Sequence, residues 1–416
     1  EPMTSRDFLT DFQHMSAVGA TAGGGVDRQA GTPADLGARA WLREVFCSMG
    51  LTEHQDTIGN QFGVKEYVPG APYVLLGSHL DSQPMGGKYD GAYGVLAAAH
   101  AAQRVMEKID AGRLTPSLNL AVVNWFNEEG SRFAPSMMGS SVYTGELELD
   151  EALAVTDKAG ISVADALAAE KVHRCDTAPR AASYAEIHIE QGPLLERAGN
   201  TIGLVDGTWG AKKYTVTIKG EQGHTGATPM EQRKDALYGA AKFIVAAREL
   251  VDQFPDGLLH TSVSTLELFP NSPVTYAGEV TINLDLRSVD TTVLADAEVV
   301  LAQQRNAIEA IACVEITQEL THQWGLMPYH PAGLELAEDV VRQLDQPFQY
   351  IKTVAGHDST NLKEQVPTVM LFVPSRDGYS HNEKEFTTDD DMLAGVDMLT
   401  GVAERLITGE LVENAR

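Results

Sequence analysis

Apolar and polar residues alternate along the first two hundred residues in stretches that predict helices and strands in turn. Helical spacing of apolar positions begins after Thr32-Pro33, a favourable cap and first-turn pair, and stops at Gly50. Short apolar runs typical of buried strands follow, and a helix rich in small residues comes between the second and third of them; the runs are FGVKEYV, YVLLGSHL and NLAVVNWFN. This alternation predicts an α/β fold with a mostly parallel sheet.

The pattern changes after about Trp209. Strand, helix, two strands, helix and strand follow one another, which is the order of a ferredoxin-like α+β domain. The first pattern then resumes with LELAEDVVRQL and TVMLFVP. We therefore expect a catalytic domain at residues 1–207 and 326–416, interrupted by an inserted domain at residues 208–325.

Composition and charge narrow the possible partners. The 416 residues contain 31 Lys and Arg against 58 Asp and Glu, a net charge of −27, which disfavours nucleic acid. Apolar runs fall short of the ~18–20 residues of a membrane span, so we expect no membrane partner. Cys47, Cys175 and Cys313 are few and widely spaced. They argue against a thiolate zinc site and fit a cytoplasmic location.

Ligand-type side chains follow four of the strand-like runs. They are His79, Asp90, Glu129, His188 and His381. Because open α/β sheets bind ligands outside the carboxyl ends of their strands, these side chains are expected to meet at one sheet edge. Imidazoles mixed with carboxylates suit a divalent transition metal. The sequence therefore predicts a metal site of the kind that supports hydrolysis.

Each of these residues has an ordinary structural interpretation when taken alone. Asp90 could cap the helix that follows it, and the pair Glu128-Glu129 could be a charged strand end. A functional interpretation lets Asp90 bridge two ions, and lets one glutamate bind metal while the other moves protons. Asp81, two residues after His79, could orient that imidazole. The recurrence of such residues after successive strands favours the functional interpretation.

Combined motifs in this chain resemble the M20 superfamily of dinuclear-metal peptidases. Within it they resemble the branch of N-carbamoyl-L-amino acid hydrolases, β-ureidopropionases and allantoate amidohydrolases. The motifs are H-L-D, Y-D-G, N-E-E-G-S-R-F, H-I-E-Q-G-P-x-L-E, G-x-x-G-H-T-G-x-T-P-M, L-D-L-R, G-H-D and F-V-P-S-x-D-G-x-S-H-N. The resemblance implies two divalent ions per subunit, Zn²⁺ or Mn²⁺ with Co²⁺ or Ni²⁺ as alternatives.

The resemblance also implies roles for individual residues. The implied metal ligands are His79, Asp90, Glu129, His188 and His381. Asp90 would bridge both ions, Glu128 would be the general base and acid, and Asp81 would support His79. The inserted domain would act as a lid and form a homodimer.

Substrate residues implied by the resemblance lie mostly in the inserted domain. His224 would reach the partner's active site and stabilise the oxyanion, and Arg287 would bind the substrate α-carboxylate. Gln191 would line the pocket. Relatives often have an asparagine where this chain has Val274, and Asn271 could replace it.

The expected reaction is hydrolysis of an N-carbamoyl-L-amino acid to the amino acid, carbon dioxide and ammonia. An aminoacylase or dipeptidase, an allantoate amidohydrolase and a non-catalytic dimeric binding protein remain alternatives.

Overall fold

The computed structural model describes residues 6–412. Its α-helices, in chain order, are α1 (Phe8–Ala17), α2 (Pro33–Met49), α3 (Ala92–Asp110), α4 (Met138–Tyr143), α5 (Leu149–Ala154), α6 (Val163–Ala168), α7 (Leu194–Ala198), α8 (Ala236–Glu249), α9 (Thr291–Ala312), α10 (Pro331–Gln343), α11 (Asp358–Leu362) and α12 (Asp389–Ile407). Its strands are β1 (Thr52–Gln55), β2 (Gln61–Lys65), β3 (Tyr73–Ser78), β4 (Asn119–Asn124), β5 (Ala181–Ile189), β6 (Ile202–Thr208), β7 (Gly210–Lys219), β8 (Gly223–His224), β9 (Leu259–Ser262), β10 (Leu266–Phe269), β11 (Thr275–Tyr276), β12 (Glu279–Ser288), β13 (Glu315–Trp324), β14 (Phe348–Thr353) and β15 (Thr368–Val373).

The chain divides into two compact units. The first comprises residues 1–206, 329–351 and 356–416, and the second comprises residues 207–328 and 352–355. The short segment of residues 352–355 therefore belongs to the second unit, although it is separated along the chain from the rest of that unit. No helix within residues 6–412 is long and apolar enough to cross a membrane.

The first unit is built around a mixed sheet whose strands run in the order β1-β2-β4-β3-β5-β15-β6-β14. Its centre is parallel, because β3 pairs with β4 and β5, and β5 pairs with β15, all in parallel register. The pairs β1-β2, β2-β4 and β6-β15 are antiparallel. The mostly parallel α/β sheet predicted from the sequence is confirmed at this level.

Helix α3 packs closely on the centre of this sheet because its residues are small. A Cβ atom at Gly94 would overlap the carbonyl oxygen of Ile187 in β5. Consecutive alanines of α3 are fully buried in the core that α3 and α12 share with the sheet. This close approach brings the start of α3, and Asp90 just before it, beside the end of β5.

The second unit contains an antiparallel sheet in the order β10-β12-β7-β13, and β9 pairs with the other half of β12. Alternate residues of β12 are buried. They pack with α8 and α9 in a core of their own. A separate two-stranded ribbon joins β8 to β11, with Thr275 opposite His224.

Candidate metal centre

The predicted ligands lie at or after the carboxyl ends of neighbouring parallel strands in the first unit's sheet. His79 follows the last residue of β3, His188 lies one residue before the end of β5, and Glu129 comes five residues after β4. His381 lies in the connection from β15 to α12. Since the carboxyl ends of parallel strands point the same way, local strand positions are enough to bring these residues together.

Asp90 is the residue that the other ligands surround. Its Oδ1 lies 3.3 Å from His79 Nε2 and 3.1 Å from His188 Nε2, while its Oδ2 lies 3.3 Å from His381 Nε2. The Asp90, His79 and His188 side chains are almost fully buried, whereas His381 is about half exposed. One carboxylate thus borders two imidazoles at one oxygen and a third imidazole at the other.

The glutamates close each group from the other side. Glu129 Oε2 lies 3.2 Å from His381 Nε2, and Glu128 Oε2 lies 3.5 Å from His79 Nε2. Ligand atoms within 4.8 Å of one another form three sets that share members: His79 with Asp90 and His188, His79 with Glu128 and Glu129, and Asp90 with Glu129 and His381.

Two imidazoles are oriented by main-chain carbonyls. His79 Nδ1 lies 2.9 Å from the carbonyl oxygen of Asp81, and His188 Nδ1 lies 2.8 Å from that of Ile189. A carbonyl can only accept, so each Nδ1 carries the proton and each Nε2 keeps its lone pair in the neutral ring. Both lone pairs then face Asp90. This is the imidazole tautomer that a metal ligand needs.

The Asp81 carboxylate has a different contact from the one expected. Its Oδ1 and Oδ2 accept hydrogen bonds from the main-chain N–H groups of Glu128 and Glu129, at 3.1 and 3.0 Å. The Asp81 Oδ1 atom lies 3.6 Å from His79 Nδ1, whereas the main-chain carbonyl oxygen of Asp81 lies 2.9 Å from the same nitrogen. The side chain of Asp81 therefore holds the glutamate pair, while its main chain orients His79.

Electrostatics in the centre favour added positive charge. Burial, with the charge of Glu129 adding to it, raises the pKa of Glu128 well above its usual range. Burial would raise the pKa of Asp90 too, but the neighbouring imidazoles of His188, His381 and His79 hold it well below its ordinary value. Burial opposes protonation of His381, yet the nearby carboxylates, Glu129 first, raise its pKa to about 11.

These residues fit a divalent metal ion. The buried Nε2 of His79 makes no hydrogen bond with acceptable geometry among the described residues, although it is surrounded by carboxylate oxygens. Ion-pair partners of Asp90, Glu128 and Glu129 are histidines. A buried group of carboxylates of this kind is unfavourable unless cations compensate its charge. Mixed nitrogen and oxygen donors suit Zn²⁺ or Mn²⁺.

Sequence reasoning did not single out two polar residues that hold the ligands. Gln83 Nε2 donates to Glu129 Oε2 at 3.0 Å, and Glu385 accepts hydrogen bonds from the main chain just before α3. Gln191, which was predicted, donates to Asp90 Oδ2 at 3.0 Å and to the Ser380 hydroxyl at 2.8 Å. Glu385 lies in a charged loop sequence, HNEKE, that looks solvated, so no signal marked it.

The remaining predicted residues belong to the second unit. His224 is exposed at the end of β8, and its Nδ1 accepts hydrogen bonds from the N–H groups of Gly226 and Ala227, both at 3.0 Å. Its Nε2 therefore carries the ring proton in the neutral form. Asn271 is exposed at a φ of 57° after β10, and Val274 is exposed as well.

Arg287 lies on β12 with part of its guanidinium already engaged. Its Nε and Nη2 donate to the two carboxylate oxygens of Asp285 at 2.9 and 3.0 Å, and its Nη1 donates to the carbonyl oxygen of Val354 at 2.8 Å. The guanidinium also stacks 5.6 Å from the ring centroid of Trp324. Since arginine has five N–H donors, these contacts fix its plane without using all of them.

Comparison with known proteins decides the family. The family profile described as peptidase family M20/M25/M40 matches residues 75–405. The chain belongs to this family. The predicted membership of the M20 superfamily is thus confirmed, and so is the prediction of an amide-hydrolysing enzyme.

Relatives cover nearly the whole M20 chain. A protein of Mycolicibacterium smegmatis that is named as a hydrolase is 52% identical over 98% of this chain and 94% of its own length. An N-carbamoyl-L-amino acid amidohydrolase of Geobacillus stearothermophilus is 33% identical over 96% of this chain and 98% of its own. An allantoate amidohydrolase of Bacillus subtilis is 31% identical over 98% and 99%.

A solved structure gives the same picture. The crystal structure of an amidase of the hydantoinase/carbamoylase family from Burkholderia vietnamiensis has a TM-score of 0.91 and 32% sequence identity, and the match covers 97% of this chain and 98% of that one.

Proposed function

We propose that this M20 enzyme hydrolyses N-carbamoyl-L-amino acids to the amino acid, carbon dioxide and ammonia, using two divalent metal ions per subunit. The observation that carries the proposal is the pair of donor groups on either side of Asp90, with the buried Glu128 beside them. Relatives named as N-carbamoyl-L-amino acid amidohydrolases support the substrate class.

His79 and His188 would hold one ion, Glu129 and His381 the other, and Asp90 would contact both. Zn²⁺ or Mn²⁺ fits these donors best, and Co²⁺ or Ni²⁺ is an alternative. When bound, such ions polarise a carbonyl group and lower the pKa of water toward ~7.

Glu128 would move the proton of the reaction. Its carboxylate would accept a proton from the attacking water and later deliver it to the leaving nitrogen, so that no charge is left on either atom. Burial raises the pKa of Glu128. Cations bound nearby would lower it, so the side chain is suited to both accepting and releasing a proton. Asp81 fixes the main chain of Glu128 and thereby aims its carboxylate.

The second unit would contribute recognition. We propose that His224 donates its Nε2–H to the developing oxyanion at the active site of a partner subunit in a homodimer, as the family resemblance implies. Arg287 would bind the substrate carboxylate with the N–H groups that Asp285 and Val354 leave available. Gln191 would line the pocket, and Asn271 would supply a polar contact in place of the residue at Val274.

The deciding experiment is an ammonia assay on enzyme reloaded with Zn²⁺ or Mn²⁺. The panel contains N-carbamoyl-L-amino acids, N-carbamoyl-β-alanine and allantoate, with N-acetyl amino acids and dipeptides alongside. We expect ammonia from the N-carbamoyl-L-amino acids, and its loss after chelation. Turnover of allantoate alone would favour the function named for the Bacillus subtilis relative. Turnover of acyl or peptide substrates alone, or of none, would refute the proposal.

A further inference from the structure

The connection between β15 and α12 places the carboxylate of Glu385 next to Asp90, in addition to the imidazole of His381. Glu385 is only 4% exposed. Its Oε1 accepts hydrogen bonds from the main-chain N–H groups of Tyr89 at 3.1 Å and Asp90 at 2.9 Å. These N–H groups lie in the turn before α3, where they have no helical partner to bond.

The fit around this carboxylate is tight. A Cβ atom at Gly87 would overlap Glu385 Oε1, so only glycine lets the turn approach the carboxylate this closely. The other oxygen, Oε2, is buried and has no hydrogen-bond partner among the described residues. Buried main-chain N–H groups need an acceptor, and the single oxygen Oε1 of Glu385 accepts from both of them.

The same connection reaches Asp90 along two further routes. His381 Nε2 lies 3.3 Å from Asp90 Oδ2, and Gln191 Nε2 bridges that oxygen to the hydroxyl of Ser380. Residues 380–385 therefore touch both the main chain and the side chain of Asp90. Glu385 binds the main chain of Asp90, and the carboxylate of Asp90 borders both groups of donors.

We infer that Glu385 is a positioning residue that holds Asp90 between the two metal sites through its main chain. This inference rests on the proposed function only in taking Asp90 as a ligand to both ions. Because Asp90 is shared, displacement of its backbone should weaken both binding steps, whereas loss of a ligand such as His381 should weaken one. Substitution of residues that position metal ligands typically weakens binding by 10–100-fold, and we expect a loss of about this size.

The test compares two substitutions that separate geometry from charge. Glu385→Gln keeps an oxygen at the same reach and removes the charge, while Glu385→Asp keeps the charge and withdraws the oxygen by one methylene. We expect Glu385→Gln to bind Mn²⁺ close to the wild-type affinity, and Glu385→Asp to bind both ions about 10-fold or more weakly. Glu383→Asp is the matched control, because Glu383 lies in the same connection but accepts from the Thr21 hydroxyl instead.

The measurement is calorimetric titration of the metal-free, full-length variants with Mn²⁺, with thermal unfolding of each metal-free protein to verify folding. Affinity lost in Glu385→Gln and kept in Glu385→Asp would show that charge matters instead, and would overturn the inference. So would an equal loss in Glu383→Asp, or a loss confined to one binding step. Titration involves no substrate, so inactivity toward ureido acids would refute the proposed function without affecting this result.

Discussion

The predicted functional residues of the first unit and those of the second differ in how they are held. Around Asp90, all the predicted side chains except His381 are largely buried and face one another, and the pKa values of Asp90 and Glu128 are strongly shifted. His224 and Arg287 are instead fixed by contacts within the second unit, and His224 remains exposed. In the first unit, burial brings charged side chains together. In the second unit, contacts fix the His224 and Arg287 side chains but leave some of their N–H groups available.

This difference separates two kinds of contribution to catalysis. Groups that move protons or bind metal need a water-poor setting that changes their acidity. Groups that recognise a substrate need fixed donors that are still accessible. Substitutions in the first unit should therefore lower kcat most, and substitutions on β12 of the second unit should mainly raise KM.

The largest effect is expected at Glu128. Glu128→Gln keeps the size of the side chain but removes its ability to take a proton, so kcat should fall by about 10²–10⁴-fold. Steady-state ammonia assays measure kcat, and elemental analysis measures bound metal, which should stay at the wild-type level. Glu146→Gln, an exposed glutamate of the same unit, is the control. Normal turnover in Glu128→Gln would remove Glu128 from the proposed mechanism.

A somewhat smaller effect is expected at His224. His224→Ala removes one hydrogen-bond donor to the oxyanion and should lower kcat by about 10²–10³-fold without loss of metal. His322→Ala replaces another exposed histidine of the second unit and should leave kcat unchanged. A wild-type kcat in His224→Ala would mean that the second unit contributes recognition alone, which would sharpen the contrast between the units.

At Arg287 we expect a change in KM. Arg287→Lys replaces the planar fork by a point charge, and a charged hydrogen bond contributes about 1.5–3 kcal/mol, so KM should rise by roughly 10–100-fold. Arg248→Lys, on the exposed side of α8, serves as the control. A fall in kcat at unchanged KM would place Arg287 in the reaction itself and would break the division between the units.

The smallest expected effect concerns stability away from the centre. Burial raises the pKa of Asp56 to about 6, against the hydrogen bonds from Asn60. A raised carboxyl pKa means that the folded state favours the protonated form. Stability from this group is thus present below the unfolded pKa and lost as pH rises through about 6.

In Asp56→Asn this pH dependence should disappear. The free energy of unfolding of the wild type should fall by about 1–2 kcal/mol more than that of the variant between about pH 5 and about pH 8. Urea unfolding of the metal-free proteins at both pH values measures the difference, which cancels any constant offset from the altered contact with Asn60. Parallel pH dependence in the two proteins would contradict the assignment.

The sequence was informative where a local pattern determines a position in space. Strand-like runs and the rule for parallel strand ends placed His79 and His188 near each other, because each lies at or just past the end of a central strand. Gln83 and Glu385 escaped detection because they sit in loops without periodicity. Glu385 meets Asp90 across a separation of 295 residues, and no short-range signal reports such a contact.

Sequence also could not reveal how a residue uses its atoms. Asp81 was expected to orient His79 with its carboxylate, but its carbonyl oxygen does so, and the carboxylate holds the main chain of Glu128 and Glu129. Residue type and spacing place both groups near the centre. Which of them points where depends on the backbone turn after β3, which only the folded chain determines.

The position of β15 in the sheet bears on how this protein matures in the cell. β15 lies between β5 and β6 although it is the last strand in the chain, and His381 and Glu385 follow it. A growing chain therefore cannot complete the sheet, or enclose Asp90, until β15 and the residues that follow it as far as Glu385 have left the ribosome. Contacts between distant segments slow folding. We therefore expect the proposed metal centre to form only after β15 has joined the sheet.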